Sequence, residues 1–299
     1  MNKSGNHREY LIGLYQTRSI VALTAGIGVF ICTFSAVAWG LQNDVSGEEN
    51  LFHYFTVLSN LFAAAGAAFM IPYAVEGIRN KRFVLPKWVV LFQFSGAICV
   101  TITLVSTFLF ILPTQGFANG LAGMSFWLHL VCPLLTVVLF QCVETGVSIS
   151  NREMLKTLIP YWAYMAVYFV MVYLVSPDRG GWTDLYMTKE YLTPWINAPM
   201  MFLLGLLAAL VLRLIQNRRA RASRQRITRL WSEDMEPVEL KIEAFGLGRY
   251  MGSRYRENEV PVPVDIFEMM TERYDVALPE LIQAYTKGVM DGMEEKKRC

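Results

Sequence analysis

The chain has 299 residues, 54% hydrophobic and 17% charged, with a mean hydropathy of +0.34 and a formal net charge of +2. That is too apolar for an ordinary soluble domain, and the small net charge says less than its distribution. Apolar runs of about 20 residues, enough to cross a hydrocarbon core about 30 Å thick, predict six spans. They lie at 19–41, 51–75, 88–113, 122–143, 157–175 and 196–216, so the expected fold is all-α: a six-helix transmembrane bundle with a small helical tail.

Residues 1–18 form an N-terminal segment carrying Lys3, Arg8 and Arg18. "FSAVAWG" at 34–40 has the small-x-small pattern of a cleavage site, but the apolar run continues past it to Leu41. A signal peptide is shorter, so the first span is expected to be a permanent anchor. The loop "NDVSGEEN" that follows holds no Lys or Arg.

The second span opens with "FHYFTVLSN", placing His53, Thr56 and Asn60 at helical spacings of 3 and 4, with Ser59 alongside. Polar groups in hydrocarbon are costly unless they face the bundle and find partners, so each is a candidate functional residue. Arg79, Lys81, Arg82 and Lys87 separate spans two and three, whereas "TQGFANG" after the third span has no basic residue. The fourth span, "SFWLHLVCPLL", carries His129 well inside an otherwise apolar helix. Spans two and four enter from the same side. At 1.5 Å per residue Thr56 lies roughly 7 Å and His129 roughly 10 Å below the boundary, in nearly one layer.

A threonine hydroxyl becomes a nucleophile when a base removes its proton, and a neutral imidazole within hydrogen-bond reach is such a base. Thr56 and His129 are therefore the predicted catalytic pair, with Ser59 or Asn60 able to donate to a developing oxyanion. Tyr161, Tyr164 and Tyr168 in the fifth span, again spaced 3 and 4, offer a second polar face. Together with His53, Ser59 and Asn60 they are the expected substrate-binding residues. His53, near the interface beside Tyr54, reads as a belt residue rather than a catalyst. No carboxylate lies inside the spans to orient the imidazole. The acids of the outer loops are Asp44, Glu48, Glu49, Asp178, Asp184 and Glu190, so a third member would come from a loop.

Arg152 and Lys156 lie between spans four and five, and the loop "SPDRGGWTDLYMTKEY" after the fifth has only Arg179 and Lys189. By the positive-inside rule both termini are expected in the cytoplasm, of a cell whose plasma membrane holds the protein. The five cysteines, Cys32, Cys99, Cys132, Cys142 and Cys299, have no metal or disulfide spacing and read as packing residues. Neither a metal nor a cofactor is expected.

After the sixth span "NRRARASRQRITR" holds six arginines and no acid, so 217–230 is a polybasic juxtamembrane segment that suits anionic headgroups or sets orientation. Residues 231–299 turn acidic, with 15 Asp or Glu against 9 Lys or Arg. "VDIFEMMTERY" and "PELIQAYTKGVMDGMEEKK" predict two short amphipathic helices, with "EVPVPVD" an extended linker before them. So thin a core calls for a cytoplasmic protein partner or the membrane face. The tail has no nucleotide-binding glycine motif and no nucleic-acid signature.

"YFTVLSN" at the outer end of the second of six spans, followed by "WLHLVCPLL" in the fourth, resembles the androgen-induced and androgen-dependent transmembrane hydrolases and their bacterial relatives. The resemblance covers about 19 to 216 and implies a threonine nucleophile at Thr56 and a histidine base at His129, cleaving fatty acyl esters. The partners it implies are membrane lipids and a lipid-like substrate. The other reading is a non-catalytic membrane protein that binds a lipid or small molecule, or a transporter or sensor acting through its tail. A transporter is disfavoured by the lack of an internal repeat and of a charge at mid-membrane.

Overall fold

A computed structural model describes residues 3–43, 50–80, 85–143, 147–175, 179–184, 194–232, 237–254 and 277–298. The described residues are about 90% helical, with no strand among them. The chain divides into two compact units, Gly13–Ala220 and Met1–Ile12 with Arg221–Cys299.

Helix α1 spans Lys3–Gln42, in the membrane unit from Gly13 onward, and α2 spans Phe55–Asn80, preceded by a 3-10 turn at Leu51–His53. Helix α3, Lys87–Ser106, passes through a π-turn at Thr107–Ile111 into α4, Leu112–Gly120, which is broken at Gly116. There φ is 76° and ψ 162°, a conformation open to glycine alone. A short α5, Met124–Phe126, enters a second π-turn at Trp127–Val131 and continues as α6, Cys132–Val143. Helices α7, Asn151–Thr157, and α8, Ile159–Phe169, follow, and a third π-turn at Val170–Leu174 ends α8. Helix α9 runs over Pro194–Ser232.

Among the described residues five helical stretches are long and apolar enough to cross a membrane: Thr17–Gln42, Phe55–Arg79, Lys87–Leu109, Met124–Gln141 and Pro199–Ala222. The pair Asn151–Thr157 and Ile159–Leu174, bent by 41°, makes a sixth if counted as one span. The fifth span expected at 157–175 corresponds to the arm Ile159–Leu174, and the chain bends just ahead of it. Pro160 cannot donate a backbone hydrogen bond, and the Thr157 carbonyl at the bend accepts Ser95 Oγ at 2.6 Å. The second helix starts at Phe55, four residues later than expected.

Lipid offers no hydrophobic drive between helices, so close packing of small residues has to hold the bundle. On α1 the buried residues Ser19, Ala22, Gly26, Val29, Thr33, Ala36 and Gly40 recur at alternating spacings of 3 and 4, a narrow seam of mostly small side chains. Large apolar side chains such as Ile31, Leu203 and Leu207 remain exposed, as lipid-facing positions do. Helix α3 is the central element: 67% of its apolar window is buried, against 28% for α9 and 33% for α1. Its Gly96 lies against the Ala63 backbone of α2, where an added Cβ would be 3.1 Å from Ala63 Cα. Phe94 packs against Phe140 of α6, with ring centroids 5.5 Å apart. At the other end of the bundle Arg213, Gln216 and Asn217 of α9 donate to the carbonyls of Val147 and Ile149, fastening the chain ahead of α7. A capping box between Ser150 and Glu153 starts α7, and Lys87 pairs with Glu153 at 2.6 Å.

In the second unit α10, Pro237–Arg254, packs parallel to α11, Leu278–Arg298, with Lys241 paired to Glu280 near their starts and Arg249 to Glu295 further along. Four glycines make the contact. A Cβ at Gly248, Gly252, Gly288 or Gly292 would fall on the carbonyl oxygen of Tyr285, Val289, Phe245 or Arg249 respectively. The backbones therefore touch, flanked by buried Leu240, Ala244, Leu281 and Tyr285 and by a two-pronged Arg249–Glu295 ion pair. Of the two tail helices expected, the second is α11, while "VDIFEMMTERY" and "EVPVPVD" lie outside the described residues. Helix α10, formed where no helix was predicted, packs against α11.

Candidate functional site

Thr56 is the second residue of α2, and His129 is the middle residue of the π-turn between α5 and α6. Their side chains meet: Thr56 Oγ1 and His129 Nε2 are 3.1 Å apart, with Thr56 8% exposed. The hydroxyl donates to Nε2 in the tautomer that carries its proton on Nδ1. Nδ1 is buried and has no hydrogen-bond partner among the described residues, so no described carboxylate orients the ring. Of the loop acids named as candidates only Asp184 is described, and it accepts Tyr168 OH at 2.7 Å. Asp44, Glu48, Glu49, Asp178 and Glu190 lie outside the described residues.

The neighbouring polar residues are committed to holding backbone. Asn60 is fully buried, and its Nδ2 donates to the Thr56 carbonyl at 2.7 Å and to the Leu128 carbonyl at 2.8 Å. Both amide hydrogens are thereby used, and the oxyanion donor expected from Asn60 is not available in this arrangement. Ser59 Oγ donates to the Thr56 carbonyl at 3.1 Å and shares a 2.9 Å hydrogen bond with Thr103 Oγ1 on α3. It secures the turn under Thr56 rather than facing His129.

His53 does not share the helical face of Thr56. It sits in the 3-10 turn, separated from α2 by Tyr54 in an extended conformation, and its ring stacks on Trp182 at 4.4 Å and 17°. The three tyrosines separate likewise. Tyr161 OH donates to the Met201 carbonyl, Tyr164 OH to the His53 carbonyl and Tyr168 OH to Asp184, each at 2.7 Å. Phe55 packs between Tyr161 and Tyr164, at 5.4 and 5.0 Å. The tyrosine face thus joins α8 to α9, to the 3-10 turn and to the loop after α8, and the aromatic cluster around Trp182 closes that end of the bundle.

Sequence reasoning passed over the π-turns. All three lie at the end of the bundle where α2 begins. In each the cap N–H bonds five residues back, Leu112 to Thr107, Cys132 to Trp127 and Val175 to Val170, freeing the carbonyl that an α-helix would have used. The freed Leu128 carbonyl takes Asn60, and the freed Met171 carbonyl takes the Trp182 N–H at 2.9 Å. A signal was present in the sequence: "FILP" and "LVCP" each put a proline directly after the cap residue, where a regular helix would need its N–H.

The chain matches no protein-family model, no curated protein and no solved structure.

Proposed function

We propose that this protein is an intramembrane hydrolase of lipid-like fatty acyl esters, with Thr56 as nucleophile and His129 as base. The observation that carries the reading is the 3.1 Å contact between Thr56 Oγ1 and His129 Nε2, made between α2 and the π-turn, 73 residues apart in sequence. The resemblance of "YFTVLSN" and "WLHLVCPLL" to the threonine hydrolases points to the same two residues.

In this mechanism Thr56 Oγ attacks the ester carbonyl carbon as His129 Nε2 takes the hydroxyl proton. The Thr56 backbone N–H, in the first turn of α2 where N–H groups have no intrahelical acceptor, donates to the oxyanion. The tetrahedral species collapses, the C–O bond to the alcohol breaks, and His129 returns the proton to the leaving oxygen. Water, deprotonated by His129, then attacks the acyl ester on Thr56 and releases the fatty acid. The substrate enters laterally from the outer leaflet, with both termini of the chain in the cytoplasm, in the plasma membrane.

The test is covalent labelling of the purified protein with a fluorophosphonate. Wild type is expected to label at Thr56, Thr56→Ala not at all, and His129→Ala more slowly by about 100-fold or more. Equal labelling of all three, or none in folded wild type, refutes the reading. One observation favours the alternative of a non-catalytic lipid-binding protein: Ser59, Asn60 and the three tyrosines all spend their donors inside the protein. Its signature would be a co-purifying lipid with Thr56 unlabelled.

A further inference from the structure

We infer that Asn60, acting with Pro133, is the positioning residue of the Thr56 and His129 pair, a role that rests on the proposed hydrolase only for its chemical consequence. One side chain grips both partners through their backbones. Asn60 Nδ2 holds the carbonyl of Thr56 itself, at 2.7 Å, and that of Leu128, the residue before His129, at 2.8 Å. The orientation of the amide is dictated by these two acceptors, since its Oδ1 has no partner among the described residues.

The Leu128 carbonyl is available because two helical donors are missing. Cys132 N–H bonds to Trp127 rather than to Leu128, and the next residue, Pro133, has no N–H to offer. Without a donor from elsewhere this buried carbonyl would be unsatisfied, at a substantial cost in a membrane interior. Asn60 supplies the donor and so stabilises the π-turn against an ordinary α-helical turn. The extra residue of the π-turn changes the phase of everything on one side of it by about 100°, one residue's rotation in a helix of 3.6 per turn. That phase is what aims His129 at Thr56. Asn60 thus acts through backbone, and the oxyanion function expected of it belongs elsewhere.

The experiment reads the pair without needing turnover. In the full-length protein in detergent, the Thr56→Cys thiol is alkylated with iodoacetamide at pH 7 and modification at position 56 is quantified by peptide mass spectrometry. An imidazole in contact raises the thiolate fraction, so alkylation is expected to be about tenfold or more faster than when His129→Ala is added. Adding Asn60→Leu or Pro133→Ala is expected to bring the rate down to the His129→Ala value. Pro133→Ala keeps the test decisive if Asn60→Leu fails to fold: it adds a backbone donor, so thermal stability is retained or raised while the rate falls. Asn60→Gln, which keeps the amide, is expected to recover part of the rate. A rate unchanged by Asn60→Leu and Pro133→Ala, or one that never depended on His129, overturns the inference. If the thiol responds as expected while native Thr56 takes no fluorophosphonate, the positioning stands and the hydrolase reading alone fails.

Discussion

Thr56 is surrounded by hydroxyl and amide groups, yet only His129 touches its Oγ1 among the described residues. Ser59 and Asn60 both turn back to the Thr56 carbonyl. Residue type and spacing place such groups near one another but leave undecided whether a donor faces a substrate or a backbone carbonyl, and in membrane helices the carbonyl one turn back is always within reach. Three consequences follow at this scale. Thr56→Ser keeps the hydroxyl and is expected to retain fluorophosphonate labelling. Ser59→Ala removes the bond to Thr103 and is expected to lower stability by about 1 kcal/mol, read as a drop in melting temperature in detergent, with labelling of Thr56 retained. His53→Phe preserves an aromatic ring against Trp182 and leaves the backbone carbonyl that receives Tyr164, so labelling is expected to persist; its loss would transfer the role of base to His53.

Helices were the most legible elements, because a chain in lipid must satisfy every backbone group within its own segment. Apolar length alone located the stretches observed. The irregularities were less legible: the 3-10 turn before Phe55, the 41° bend ahead of Ile159 and three π-turns. Each is a choice between hydrogen-bond registers that differ little in local energy, settled by a partner such as Ser95, Asn60 or the Trp182 N–H on another element. In the tail, α10 was missed because its apolar stripe is sparse; its packing depends on glycines, which disfavour a helix in isolation and permit backbone contact in a pair. Gly252→Val and Gly288→Val each put a side chain where a carbonyl oxygen of the other helix stands. Limited proteolysis of the full-length protein is expected to cleave these variants in the tail much faster than wild type, with the melting of the membrane unit unchanged.

At the scale of the molecule, the proposed orientation is open to a direct check. Single cysteines placed at Gly47 and at Ser223 are expected to react with a membrane-impermeant maleimide from opposite sides of intact cells, the first from outside and the second only after lysis. The reverse pattern would put the Thr56 and His129 end of the bundle on the cytoplasmic side. Composition, apolar length and the alternation of spans were enough to establish an all-α membrane protein and to assign Thr56 and His129 to one layer, because depth along a helix follows from a constant rise per residue. Rotation about the helix axis was not determined in this way. Helices apolar on nearly every face carry no pattern that says which side points inward, and a single π-turn changes that side by about 100°. Only the packed structure, through Asn60 and the Leu128 carbonyl left open by Pro133, decided that the threonine and the histidine meet.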